Sequence, residues 1–176
     1  ASLQHPNIVG IHEVGEHEGQ HYFSMELVEG RDLADLIREK PLAPKEAARY
    51  LKIIAEAVEY AHRRGILHRD LKPSNVLIDE SDHPRITDFG LAKRLTGDLE
   101  LTLTGQVLGS PNYLSPEQAA GRQAEVGPTS DVYALGLILY EIYTGKRPYE
   151  GATTLREWRE RHVQSEPVLP SDRERD

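Results

Sequence analysis

The stretch that most limits what this chain can fold into is "DVYALGLILYEIYTG", residues 131–145, which is apolar on nearly every side of a helix. A helix of that kind belongs inside a protein. Its apolar centre, "ALGLILYEIY", falls well short of the roughly 18 residues of a membrane span. The chain must therefore build a core around this helix, which Thr129 or Ser130 is placed to cap. A second long helix is predicted from Pro44, a residue favoured in the first helical turn. There Tyr50, Leu51, Ile54, Val58 and Ala61 recur at steps of three and four, and Gly65 ends the run as a left-handed cap. "RDLADLIREK" gives a shorter helix with Leu33, Leu36 and Ile37 on one face.

Strand signals lie on either side. Residues 8–28 read as a hairpin, with "IVGIHEV" and "QHYFSMELV" flanking a turn at "GEHEG". Short apolar strands "VLID" and "RIT" flank the turn-like "ESDHP". Residues 91–128 show turn residues and little periodicity, the pattern of a long ordered loop, and such loops are uncommon unless functional. A last helix is expected in "ATTLREWRERHV", whose alternating charge reads as a solvated face, before a polar tail. The expectation is an α+β, mainly helical domain with short β-hairpins.

Composition narrows the partners. A net charge of −8 and a pI near 5.5 argue against nucleic acid or an anionic membrane, both of which demand basic surface. There is no cysteine, so disulfides and thiolate metal sites are excluded. Of the eight histidines, His12, His17 and His21 lack ligand spacing and are expected on solvated surface. The start, "ASLQHPNIVG", has no signal-peptide pattern and begins abruptly, as though cut from something longer.

Chemistry concentrates in "HRDLKPSNVLIDESDHPRITDFG", residues 68–90. Asp70 can accept a proton or orient a hydroxyl, and Lys72 can neutralise a developing anion. Asn75 and Asp88 offer hard oxygen ligands of the kind Mg²⁺ prefers. The hairpin of "VLID" and "RIT" would hold Asn75 at its entrance and Asp88 at its exit. A base, a lysine and two metal ligands suit phosphoryl transfer from a nucleotide to a hydroxyl.

The order and spacing of "HRDLKPSN" and "DFGLAK", followed by "GSPNYLSPEQAAG" and "SDVYALGLILYEIYTGKRPYEG", resemble the eukaryotic-like (Hanks-type) serine/threonine protein kinases of bacteria. The likeness runs from "HPNIV" to about residue 165. It implies the protein-kinase-like fold, with residues 1–28 left from the sheet and hinge of the first lobe and 29–176 forming the second lobe, incomplete at its end. It implies Asp70 as catalytic base, Lys72 as stabiliser of the transferring phosphate, and Ser110 beside both. Asn75 and Asp88 would hold Mg²⁺. Met25 resembles the gatekeeper, backbone at Glu26 and Val28 would bond the adenine of ATP, Asp32 would reach the ribose, and Leu77 would form the adenine floor. Asp131 would hydrogen-bond backbone near His68 and Arg69, and His68 would pack beneath Phe89.

The resemblance also carries expectations about what is missing. No glycine-rich G-x-G-x-x-G loop, strand lysine or paired helix glutamate occurs, since Lys40, Lys45 and Lys52 fall in or beside helices. Without the family's last helices, Glu117 lacks its usual arginine. The chain is thus expected to be a kinase fragment, inactive alone. Its parent would phosphorylate protein Ser or Thr in the cytoplasm, with membrane attachment only through a span outside these residues. Phosphate on Thr104 or Thr102, met by Arg69 and Lys93, is expected to switch it on. A pseudokinase-like scaffold and a small-molecule phosphotransferase of related fold are the rival readings. The intact base, lysine, asparagine and aspartate weigh against the first, and "GSPNYLSPE", like a protein-docking segment, against the second.

Overall fold

The computed structural model describes residues 3–89 and 111–149, with residues 157, 160, 161 and 166–172. Strands β1 (Ile11–His17) and β2 (Gln20–Met25) form an antiparallel two-stranded sheet. The turn is tighter than "GEHEG" predicts. Only Glu18 (φ 51°) and Gly19 (φ 77°) make it, both left-handed, as a two-residue hairpin turn requires. Gly15 lies within β1 instead, opposite Tyr22, whose ring fills the place of a Cβ (2.6 Å). The absent side chain is what lets the tyrosine lie across the strand. His12, His17 and His21 are all exposed along this hairpin.

A second sheet has the order β3 (Gly30–Asp32), β4 (Val76–Asp79), β5 (Pro84–Ile86), all antiparallel. Gly30 has φ 154°, and a Cβ there would lie 2.0 Å from the Ile78 carbonyl oxygen, so β3 and β4 meet closely only because it is glycine. Residues ahead of β1 extend this sheet: Ile86 donates to the Asn7 carbonyl (2.9 Å), and Val9 donates to that of Ile86 (2.8 Å).

Helix α1 (Leu33–Glu39) is capped by Asp32, and α2 (Pro44–His62) opens at Pro44 as expected. Gly65, at φ 72°, turns the chain away from α2. Residues 111–128, read from sequence as loop, contain helix α3 (Pro116–Ala119) and 3₁₀ turns at Pro111–Tyr113 and Gln123–Glu125. Their turn-rich composition conceals elements of a single turn, too short to display a period. Helix α4 (Pro128–Thr144) begins two to three residues earlier than Thr129 or Ser130 capping would allow. Gly127 is the cap, Pro128 takes the first position, and the Ser130 hydroxyl reaches back to the Gly127 amide at 3.2 Å.

Helices α2 and α4 pack together through Ile54, Ala57, Val58 and Ala61 against Ala134, Leu135, Ile138 and Ile142. Burying each large aliphatic side chain contributes about 1.5–3 kcal/mol. The same core takes in Ile8, Val76 and Ile86, so sheet and helices share one interior. Near its start α2 uses Arg49 and Tyr50 to grip Asp82 at the β4–β5 turn. Burial and that carboxylate push the Tyr50 phenol up to about 12. The fold is α+β, as expected.

Candidate active site

The loop between α2 and β4 places an aspartate in a backbone that would not hold itself. Arg69 has φ 70°, a left-handed conformation that costs a non-glycine residue about 1–3 kcal/mol. Asp131, buried in the first turn of α4, compensates by accepting the His68 and Arg69 amides, each at 2.9 Å. His62, at the end of α2, closes on the same carboxylate at 2.6 Å. The expected role of Asp131 thus has a partner that sequence reading did not single out. A carboxylate in a first helical turn is also favoured by the helix dipole.

His68 is fully buried under Phe89, with ring centroids 4.7 Å apart. Its Nε2 faces the Thr87 carbonyl at 2.9 Å. A carbonyl only accepts, so Nε2 carries the proton and Nδ1 is left to accept the Asp70 amide at 3.3 Å. Burial, opposed by the Asp131 charge, holds the His68 pKa below its ordinary value.

Asp70 projects beside two donors. Lys72 Nζ lies 2.7 Å from its Oδ2, while Asn75 Nδ2 reaches the Asp70 carbonyl at 2.9 Å and Oδ2 at 3.4 Å. Asn75 sits in the 3₁₀ turn Pro73–Asn75, and its carbonyl accepts the Thr87 amide at 3.0 Å. That bond sets Asn75 next to Asp88, the residue after Thr87. Asp88 is left-handed too, at φ 64°.

The residues expected around adenine come from separate elements. Met25 ends β2, with its sulfur 3.5 Å from the Thr87 hydroxyl. The Glu26 amide donates to the Gly10 carbonyl at 2.9 Å. Its carboxylate forms a two-pronged pair with Arg85 of β5 (2.8 and 2.6 Å), and the Arg85 guanidinium holds the Glu26 carboxyl below its ordinary value. Asp32, Leu77 and Arg85 lie in one cross-strand row over β3, β4 and β5. Through Arg85 that row joins Glu26. Asp32 also accepts the Asp35 amide at 2.8 Å as the cap of α1, and Val28 is half-buried. Ser110, Lys93, Thr102, Thr104 and Trp158 lie outside the described residues.

Beyond that gap, Tyr113 donates to Glu141 of α4, and Arg147 stands 3.5 Å from the same carboxylate. Glu117, expected to lack its usual arginine, is hydrogen-bonded by the Ser130 hydroxyl. Ser115 is fully buried and caps α3 in a reciprocal arrangement with Gln118. Gln118 Nε2 then donates to the Arg69 carbonyl at 2.7 Å. Sequence reading missed Arg85, Gln118 and His62. Only Gln118 carried a signal, the S-x-x-Q spacing of Ser115 and Gln118.

The protein kinase domain family matches residues 1–173. The chain belongs to the protein kinase family. Among curated relatives of this kinase chain, a protein named probable serine/threonine-protein kinase PknB of Lactococcus lactis is 50% identical over 152 residues, 86% of this chain and 24% of the relative. Serine/threonine-protein kinase PrkC of Bacillus subtilis is 46% identical over 156 residues, covering 88% of this chain and 24% of that protein. Serine/threonine-protein kinase PknB of Mycobacterium leprae is 37% identical over 178 residues, 98% and 28%. The kinase chain therefore spans about a quarter of the length of the curated relatives it matches. Among the described residues no helix is long and apolar enough to cross a membrane.

Proposed function

We propose that the natural protein carrying this chain transfers the γ-phosphoryl group of ATP to serine or threonine hydroxyls of protein substrates. The observation that carries this reading is the Asp70 carboxylate held between Lys72 and Asn75, with Asn75 tied to the strand that delivers Asp88. Asp70 accepts the substrate hydroxyl's hydrogen bond, aims its oxygen, and takes the proton as the new O–P bond forms and the bond from the γ-phosphorus to the departing ADP breaks. The Lys72 ammonium, two residues away, neutralises charge on the phosphoryl oxygens. Such transfer depends on positioning and electrostatics rather than on covalent chemistry by the protein.

Asn75 and Asp88 form a donor set that fits Mg²⁺. They offer one amide oxygen and one carboxylate, and Mg²⁺ usually takes one or two carboxylates together with phosphates and water. Held by Asn75 and Asp88, Mg²⁺ would offset the charge of the nucleotide phosphates. The Glu26 and Val28 backbone would read adenine beside Met25, over Leu77, with Asp32 at the ribose and Ser110 near the substrate hydroxyl. In this reading residues 1–28 serve as first-lobe sheet and hinge and 29–176 as the second lobe. The site works on the cytoplasmic side, where ATP is, and any membrane attachment comes from outside these residues. Phosphate on Thr104 or Thr102 would be met by the Arg69 guanidinium and Lys93.

The test is phosphate transfer from Mg-ATP to a generic protein substrate. In the natural protein, Asp70→Asn is expected to lower kcat by about 10²–10⁴-fold. The 176-residue chain alone is expected to show no transfer above its own Asp70→Asn control, for it holds no G-x-G-x-x-G loop to place the phosphates. Activity indifferent to Asp70 would overturn the assignment.

A further inference from the structure

The peptide that carries Asp70 is gripped from the side of the segment expected to dock substrate. Asp131 fixes the amides of His68 and Arg69. The next peptide plane, formed by the Arg69 carbonyl and the Asp70 amide, lies beyond its reach. On the amide side that plane has, among the described residues, only the 3.3 Å contact with His68 Nδ1. On the carbonyl side, Gln118 Nε2 donates at 2.7 Å.

Gln118 is itself fixed at its other end. Its Oε1 accepts both the Ser115 amide and the Ser115 hydroxyl at 3.0 Å, and its own amide lies 3.4 Å from Ser115 Oγ. Ser115 is fully buried. The glutamine cannot swing away from Arg69 without giving up the cap of α3. Nor can α3 shift without drawing on the Arg69 carbonyl. Because Arg69 is left-handed, no helix or strand ladder holds that plane in place.

We infer that Gln118 is a positioning residue: it couples the seating of the segment around Ser115 to the aim of the Asp70 carboxylate. The inference rests on the kinase reading and adds a regulatory contact to it. The position requires a donor and an acceptor on one side chain of this length. Glutamate supplies only acceptors and would face the Arg69 carbonyl with one of them. Methionine supplies neither, at similar length.

Two measurements decide it. In the 176-residue chain, amide exchange at Arg69 and Asp70 is compared among wild type, Gln118→Glu, Gln118→Met and the exposed charge control Gln123→Glu. Both Gln118 variants are expected to exchange roughly tenfold faster at these amides, as for loss of one hydrogen bond, with α2 amides and Gln123→Glu unchanged. In the natural protein the same Gln118 variants are expected to lower kcat roughly 10- to 100-fold while leaving the KM for Mg-ATP unchanged. Unchanged exchange at Asp70 in both variants overturns the inference, as does a loss expressed wholly in that KM. Collapse of the fold in both variants overturns it too, because Gln118 would then hold the domain together rather than aim the base. An inactive wild-type natural protein would defeat the kinase reading alone, since the exchange measurement does not depend on turnover.

Discussion

Arg69 and Asp88 are both left-handed without being glycine, and they adjoin or supply the groups proposed for chemistry. Such backbone persists only where its surroundings over-determine it. Around Arg69 those surroundings are Asp131, Gln118 and the buried ring of His68. That ring makes the site sensitive to acid. Burial holds the His68 pKa below 6.5, so on unfolding the ring takes up a proton that the native protein refuses. Stability is complete above about pH 6.5 and falls as pH drops toward the lowered folded value, by at most about 1.4 kcal/mol per pH unit. Urea unfolding of wild type is expected to show this loss between pH 7.5 and 5.5. His68→Gln, which keeps a donor for the Thr87 carbonyl but cannot be protonated, should show a flatter profile. Equal slopes in the two proteins would rule out His68 as the source. At this scale Asp70, Lys72, Asn75 and Asp88 were legible because their spacing is local. Arg85 was not, because its meaning depends on Glu26, 59 positions away.

Among the elements, proline and glycine were the most readable signals. Pro44 opens α2, and Gly65 turns the chain after it. The hairpin turn was misplaced by a glycine whose reason lies across the sheet, in the ring of Tyr22. The start of α4 was misplaced because Thr129 and Ser130 look like caps, while Pro128 already occupies the first helical position. Gly145, which ends α4 at φ 68°, offers a test of how glycine acts here. A Cβ there would meet Pro41 Cγ at 2.9 Å, whereas at Gly65, φ 72°, it would meet nothing within 4 Å. Both alanine variants incur the left-handed penalty of about 1–2 kcal/mol. Gly145→Ala is expected to lose more than Gly65→Ala by chemical denaturation, since Pro41 must also move. The reverse order would show that the contact yields freely.

At the scale of the molecule, the sequence indicated a helix surrounded by protein, yet Val132 and Leu139 of α4 are exposed. An apolar pattern states what a helix prefers, not which neighbours arrive to cover it. The packing of α2 on α4 was equally invisible from residue patterns, and the site depends on it through His62 and Asp131. Arg69 and Asp131 are 62 positions apart. A ribosome adding about 5–20 residues each second needs roughly 3–12 s to make that stretch. During that interval the amides of His68 and Arg69 have no carboxylate to meet, so Asp70 is synthesised long before it can be aimed. The loop that carries Asp70 therefore settles only after the first turn of α4 has been made. Nascent chains stalled with residue 125 as their last residue are expected to exchange rapidly at His68 and Arg69. Chains stalled after α4 has cleared the exit tunnel should protect both amides, and early protection in the shorter chain would contradict this order of assembly.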